Sequence, residues 1–129
     1  MAQISDAILN ELEAIAGSGR VLTDADSLSS YGCDWTRFYT PAPSAIALPS
    51  TIEQVQELVR VAAREQLAIV PSGGRTGLSA GAVATDGELV IALDRLNTID
   101  DFNSVDRTVR CGAGVVTEQL QRYAQDKGL

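Results

Sequence analysis

The stretch Pro71-Ser72-Gly73-Gly74-Arg75-Thr76-Gly77-Leu78-Ser79-Ala80-Gly81 places four of the chain's eleven glycines directly after a short apolar run, Leu67-Ala68-Ile69-Val70. A strand that empties into so many glycines reads as a turn free to take positive φ, with N–H groups unscreened by Cβ atoms. Successive free amides can form a concave nest of donors for an anion. No acidic residue occurs between Glu65 and Asp86, and Arg75 is the only charged residue in that interval. An anion would therefore meet no like charge within the loop and one complementary guanidinium. On residue chemistry alone two readings stand, a phosphate cradle and a tight turn. A P-loop is excluded, because no Gly-Lys-Ser/Thr closes the segment and the chain's one lysine is Lys127.

Upstream of the loop, Ala45-Ile46-Ala47-Leu48 is a second apolar run, ended by Pro49, and Ser50-Thr51-Ile52-Glu53 fits a capping box. Ile52, Val55, Leu58, Val59 and Ala62 then recur at helical spacing as far as about Glu65. Residues 45–70 thus read as a strand, helix, strand unit of the length of a right-handed parallel crossover. Nearer the start, Ile8, Leu9, Leu12, Ile15 and Ala16 predict a helix over 5–16, capped by Ser5 and stopped by Gly17. Residues 23–43 carry four of the six aromatics, Tyr31, Trp35, Phe38 and Tyr39, and read as an ordered, packed loop with Trp35 beneath the glycines.

Downstream, residues 88–93 read as a strand entered from Asp86-Gly87, 99–102 as an extended piece, 108–111 as a strand and 117–127 as a helix stopped by Gly128. Gly112-Ala113-Gly114 lies between strand and helix but has Thr117 where a dinucleotide fingerprint needs its third glycine. Asp34 and Asp94 read as turn or cap residues, and Asp24/Asp26 and Asp100/Asp101 as solvated turns.

Composition narrows the chemistry. A chain of 129 residues is about one domain, and a formal charge of −7 argues against nucleic acid and against an anionic membrane. No apolar run reaches the roughly 20 residues of a membrane span, and residues 1–6 lack a basic start and an apolar core of a leader, which predicts a cytoplasmic protein. Cys33 and Cys111 are too few for a disulfide framework and read as reduced packing residues. With no histidine in the chain, Ser-His, Cys-His and His-metal mechanisms are excluded within these residues. No catalytic residue and no metal ligand is assigned, and any chemistry must come from a cofactor or from groups outside the chain.

The glycine run, together with Pro49-Ser50-Thr51-Ile52-Glu53-Gln54-Val55 before it and Leu93-Asp94-Arg95-Leu96-Asn97 after it, resembles the FAD-binding domain of the vanillyl-alcohol oxidase/p-cresol methylhydroxylase flavoproteins. Asp34-Trp35-Thr36, residues 108–114 and Lys127-Gly128-Leu129 resemble its FAD-linked D-2-hydroxyacid dehydrogenase branch, which acts on D-lactate, glycolate or D-2-hydroxyglutarate. The resemblance implies an α+β fold, with a small parallel βαβ subdomain over about 20–84 and the start of a second α+β subdomain over 85–129. The whole of 1–129 would be an N-terminal fragment of one FAD-binding domain, without a substrate domain and inactive alone.

The resemblance further implies noncovalent FAD, its pyrophosphate on Ser72, Gly73, Gly74, Arg75, Thr76, Gly77, Leu78 and Ser79. Related oxidases carry a flavin-bonding histidine where this chain has Arg75. The partners implied are a small 2-hydroxy acid and an electron acceptor, with the substrate-handling groups beyond Leu129. Alternatives at this stage are an alkylglycerone-phosphate synthase or enolpyruvyl-sugar reductase on the same domain, or a non-catalytic nucleotide-binding module.

Overall fold

In the computed structural model, which describes residues 4–129, helix α1 (Asp6–Ala16) begins where the Ser5 hydroxyl accepts from the Ile8 amide and ends at Gly17, whose φ of 105° an L-residue rarely adopts. Residues 1–3, half of the stretch read for a leader, lie outside the described residues. A two-residue strand, β1 (Val21–Leu22), follows. Part of the expected loop over 23–43 is instead a helix, α2 (Ala25–Tyr31), started by the Asp24 carboxylate accepting from the Ser27 amide at 2.9 Å.

Strand β2 (Ala45–Ala47) leads through Pro49 to helix α3 (Ile52–Arg64). The capping box is displaced by one residue from its expected place. Thr51 is the N-cap, accepting from the Gln54 amide, and the Gln54 side chain returns to the Ser50 amide at 2.7 Å. Strand β3 (Ile69–Ser72) starts two residues later than expected, because Gln66, with φ 55°, and Leu67, bonded to the Ala62 carbonyl, are spent turning out of the helix. Strand β4 (Leu89–Ala92), the hairpin of β5 (Ile99–Asn103) with β6 (Thr108–Cys111), and helix α4 (Thr117–Asp126) complete the chain.

The main sheet has the order β1-β2-β4-β3, with β2, β4 and β3 parallel and β1 antiparallel at one edge. β2 and β3 flank the crossover helix as expected but are not neighbours, since β4 enters between them. All four residues of β4 are buried, as a central parallel strand covered on both faces requires. β3 is an edge strand, which is why Pro71 within it is tolerated. β4, which lies within the 85–129 span expected to start a second subdomain, pairs in the same sheet as β2 and β3. β5 and β6 form a separate two-stranded sheet.

Alternation along the strands splits the core. Ala45, Ala47, Leu89 and Ile91 face Leu12 of α1 and Leu58, Val61 and Ala62 of α3. Ile46, Val90 and Ala92 face the other way, toward Ala84, with Leu28 and Tyr31 of α2 packed alongside. Three parallel strands covered in this way send their carboxyl ends out along one edge, where open α/β sheets bind ligands.

Candidate functional site

Two adjacent parallel strands end at this edge, β3 at Ser72 and β4 at Ala92, and the Leu93 amide bonds the Ser72 carbonyl at 2.8 Å. Their exit segments, 73–76 and Asp94, form one wall of a cleft of about 630 Å³, whose other wall is 113–117 at the start of α4. The opposite wall is drawn in by hydrogen bonds from Gly112 to the Thr98 carbonyl and from Gly114 to the Leu96 carbonyl, both 2.9 Å. A Cβ on Gly114 would stand 2.0 Å from the Leu93 carbonyl oxygen, and one on Gly112 2.0 Å from that of Leu96. These two glycines are therefore demanded by the fold. α4 opens on the cleft with Val116 as N-cap, which offers no side-chain oxygen to its first-turn amides.

Gly73 and Gly74 behave differently. Neither has positive φ, contrary to the expectation for the loop. A Cβ on either would find no protein atom nearer than 3.9 Å and 4.0 Å respectively. The left-handed conformations fall instead on Arg75, at φ 55°, and Ala80, at φ 60°. Among the described residues, no backbone amide from Gly73 to Ser79 has a protein acceptor. The loop is anchored by other groups: the Gly77 carbonyl accepts from the Trp35 amide at 3.0 Å, and the Ala80 amide donates to the Thr36 hydroxyl at 2.9 Å.

Of the eight residues expected to hold a ligand, Gly73, Gly74, Arg75 and Thr76 line the cleft. Ser72 lies directly beneath it, fully buried. Gly77, Leu78 and Ser79 do not line it and run over Asp34–Thr36, with Leu78 76% exposed. The Asp34 carboxylate accepts from the Thr36 amide at 2.7 Å, the turn role expected of it, while its Oδ2 is buried below Gly77 without a partner.

Arg75 departs furthest from expectation. Its guanidinium grips the Asp94 carboxylate, a partner not expected from sequence, with two hydrogen bonds, 2.8 and 3.1 Å. The Asp94 hydrogen bonds also hold the Arg75 pKa above its ordinary value. The fold thus brings one carboxylate to a loop that is acid-free in sequence and neutralises it with the loop's one cation. Trp35, expected to pack under the glycines, is 62% exposed, and Phe38 and Tyr39 are exposed too. Cys111 is exposed and Cys33 half-buried, both with free thiols, so neither is a core packing residue.

Asp94 and the 113–117 wall are what the sequence reading missed as site components. The signal for the wall was present in Gly112-Ala113-Gly114 between strand and helix, set aside for want of a third glycine. Among the described residues no cluster of three or more His, Cys, Asp or Glu could hold a metal, and no helix is long and apolar enough to cross a membrane.

Comparison with known proteins gives these features a context. Residues 43–129 match the FAD binding domain family. The chain is 58% identical over 123 residues to D-2-hydroxyglutarate dehydrogenase of Stutzerimonas stutzeri (strain A1501), covering 95% of this chain and 26% of that protein. It is 48% identical over 126 residues to the enzyme of the same name from Xanthomonas citri pv. viticola, with 98% of this chain and 27% of that protein covered. This chain spans about a quarter of the length of those curated relatives. Among solved structures, it superposes on an alkyldihydroxyacetonephosphate synthase with a TM-score of 0.86 at 18% identity, covering 97% of this chain and 25% of that one. It also superposes on p-cresol methylhydroxylase with substrate bound, with a TM-score of 0.78 at 23% identity, covering 98% and 26%. At those identities the superpositions bear on the fold alone.

Proposed function

The chain belongs to the FAD binding domain family, and on that premise we propose that the cleft between 73–76 and 113–117 receives the FAD pyrophosphate in a flavoenzyme of which residues 1–129 are one part. The observation that carries this reading is the pair Gly73-Gly74: no positive φ and no protein neighbour accounts for the missing side chains. Bare Cα atoms beside unpartnered amides suit a ligand whose oxygens come within hydrogen-bond distance of the backbone. The donor set fits that ligand. Loop amides and the Thr76 hydroxyl lie on one side, and the uncapped first turn of α4 lies on the other, where its dipole favours an anion.

The residues expected from sequence divide accordingly. We assign the pyrophosphate to Gly73, Gly74 and Thr76 with the start of α4, and give Ser72 and Arg75 the task of shaping the loop. Gly77, Leu78 and Ser79 follow the pyrophosphate segment and are assigned no contact at this cleft. Binding is proposed to be noncovalent, since neither cysteine lines the cleft, no histidine is present and the Arg75 side chain is engaged by Asp94.

FAD, when bound, supplies an acceptor for the hydride of a substrate carbon. This chain's residues bind and orient that acceptor; the groups that take the substrate's proton are assigned to the remainder of the enzyme. The names of the relatives at 58% and 48% identity support D-2-hydroxyglutarate, or a close 2-hydroxy acid, as substrate, with a separate electron acceptor. Two unpaired thiols suit a reducing compartment, and a cytoplasmic location is proposed on that basis.

The test uses the whole enzyme. Acid precipitation is expected to release about one FAD per chain into the supernatant, and the untreated enzyme to reduce a dye with D-2-hydroxyglutarate. Colour retained in the pellet would overturn the noncovalent reading. Flavin without dye reduction by any D-2-hydroxy acid would overturn the substrate reading and leave the cofactor reading standing.

A further inference from the structure

We propose that Arg75 and Asp94 form a positioning latch that shapes the glycine loop before FAD arrives, and that Arg75 is not a ligand of the pyrophosphate. The inference rests on the reading of the cleft as an FAD site. Arg75 sits at φ 55°, a backbone conformation that disfavours an L side chain and that its surroundings must hold in place. The guanidinium does so from four directions. Its two terminal nitrogens take both oxygens of Asp94, 19 residues away at the exit of β4. Nη1 also donates to the Gly73 carbonyl at 3.0 Å and approaches the Ser72 hydroxyl at 3.3 Å. The plane's central carbon lies 4.6 Å from the ring centre of Tyr31, at the end of α2.

Two consequences follow for an anion. The Gly73 carbonyl, an acceptor that would repel phosphate, is taken up by the guanidinium. The Asp94 carboxylate, which stands in the cleft wall, is neutralised by its own partner. Both Arg75 and Asp94 side chains are largely covered, 25% and 36% exposed, so the pair is better shielded than the ion pairs on the outer helices. A lysine cannot replace the arginine, because a single ammonium does not match both carboxylate oxygens and the Gly73 carbonyl at once.

The latch and a direct phosphate contact make opposite demands on Asp94. If Arg75 bound the diphosphate, Asp94→Asn would release the cation toward the ligand and tighten FAD binding. If the pair is a latch, Asp94→Asn frees the loop and leaves the Gly73 carbonyl uncovered, so binding weakens. The experiment is titration of the FAD-stripped whole enzyme with FAD, followed by flavin fluorescence, for the parent, Asp94→Asn, Arg75→Lys, the double variant, Asp94→Glu and Gly74→Ala. The latch gives a Kd raised about tenfold by Asp94→Asn and by Arg75→Lys, no further loss in the double variant, and partial recovery in Asp94→Glu. The melting temperature of the FAD-stripped enzyme should be the same in all of these, which a general loss of stability would not allow.

Unchanged or tighter FAD binding in Asp94→Asn would overturn the proposal. Should that variant not fold, Arg75→Lys carries the same decision, since parental affinity there would also overturn it. Gly74→Ala separates the two levels: if it and every latch variant bind FAD like the parent, the cleft is not the FAD site, whereas weak binding in Gly74→Ala alone rejects only the latch.

Discussion

Glycines with the same place in the sequence pattern have opposite reasons for being there. Gly112 and Gly114 are required because a backbone carbonyl lies where a Cβ would be, whereas Gly73 and Gly74 leave space that no protein atom fills. Gly114→Ala should therefore displace 112–116 from Leu93 and destabilise the fold by several kcal/mol, of the size of a severe steric clash, about 3 kcal/mol or more. Urea unfolding monitored by Trp35 fluorescence measures it, and a change within about 0.5 kcal/mol would contradict the close approach. The glycine density was legible in sequence, but which glycines serve the chain and which serve a ligand was not. That distinction depends on what the fold brings opposite each residue. Arg75 shows the same limit, because its partner Asp94 is distant in sequence and reaches it only when β3 and β4 pair.

At the scale of elements, those with an apolar stripe were legible and the one without was not. α3 buries Leu58 and Ala62 of the stripe read from sequence, together with Val61, while Ile52 and Val59 of that stripe are exposed, and its cap has residue types that announce it. α2 contains no buried residue and is rich in Asp and Ser, so its sequence reads as a turn, and it is recovered only through the Asp24 cap and the contact of Leu28 with the second core face. That cap has a pH signature. The Ser27 amide, donating to the Asp24 carboxylate, holds its pKa below the ordinary value. A depressed carboxylate pKa contributes stability that is present above its unfolded value and lost as pH falls through the folded one. On acidification below about pH 4, α2 should loosen before the main sheet, seen as faster amide exchange at Ser27 and Leu28. Asp24→Asn keeps an oxygen acceptor and should remove this pH dependence. Equal acid sensitivity in that variant would assign the effect to another group.

Across the whole molecule, sequence gave a parallel unit but not its order. The insertion of β4 between β2 and β3 is decided by which strand can be buried on both faces, and the uninterrupted apolar run Leu89-Val90-Ile91-Ala92 was the available signal. That order puts the ends of β3 and β4 side by side and so assembles the cleft from segments that lie far apart in the chain, 73–76, Asp94 and 113–117. The central claim is that this cleft holds the FAD pyrophosphate through backbone left bare at Gly74. The most direct measurement is the FAD affinity of the stripped whole enzyme carrying Gly74→Val, beside Cys33→Ala as a control at a residue outside the cleft. The account gives parental melting temperatures for both, parental affinity for Cys33→Ala, and a Kd raised more than about tenfold for Gly74→Val, equivalent to 1.4 kcal/mol or more. Equal affinity of the two variants for FAD, with both folded, would contradict it.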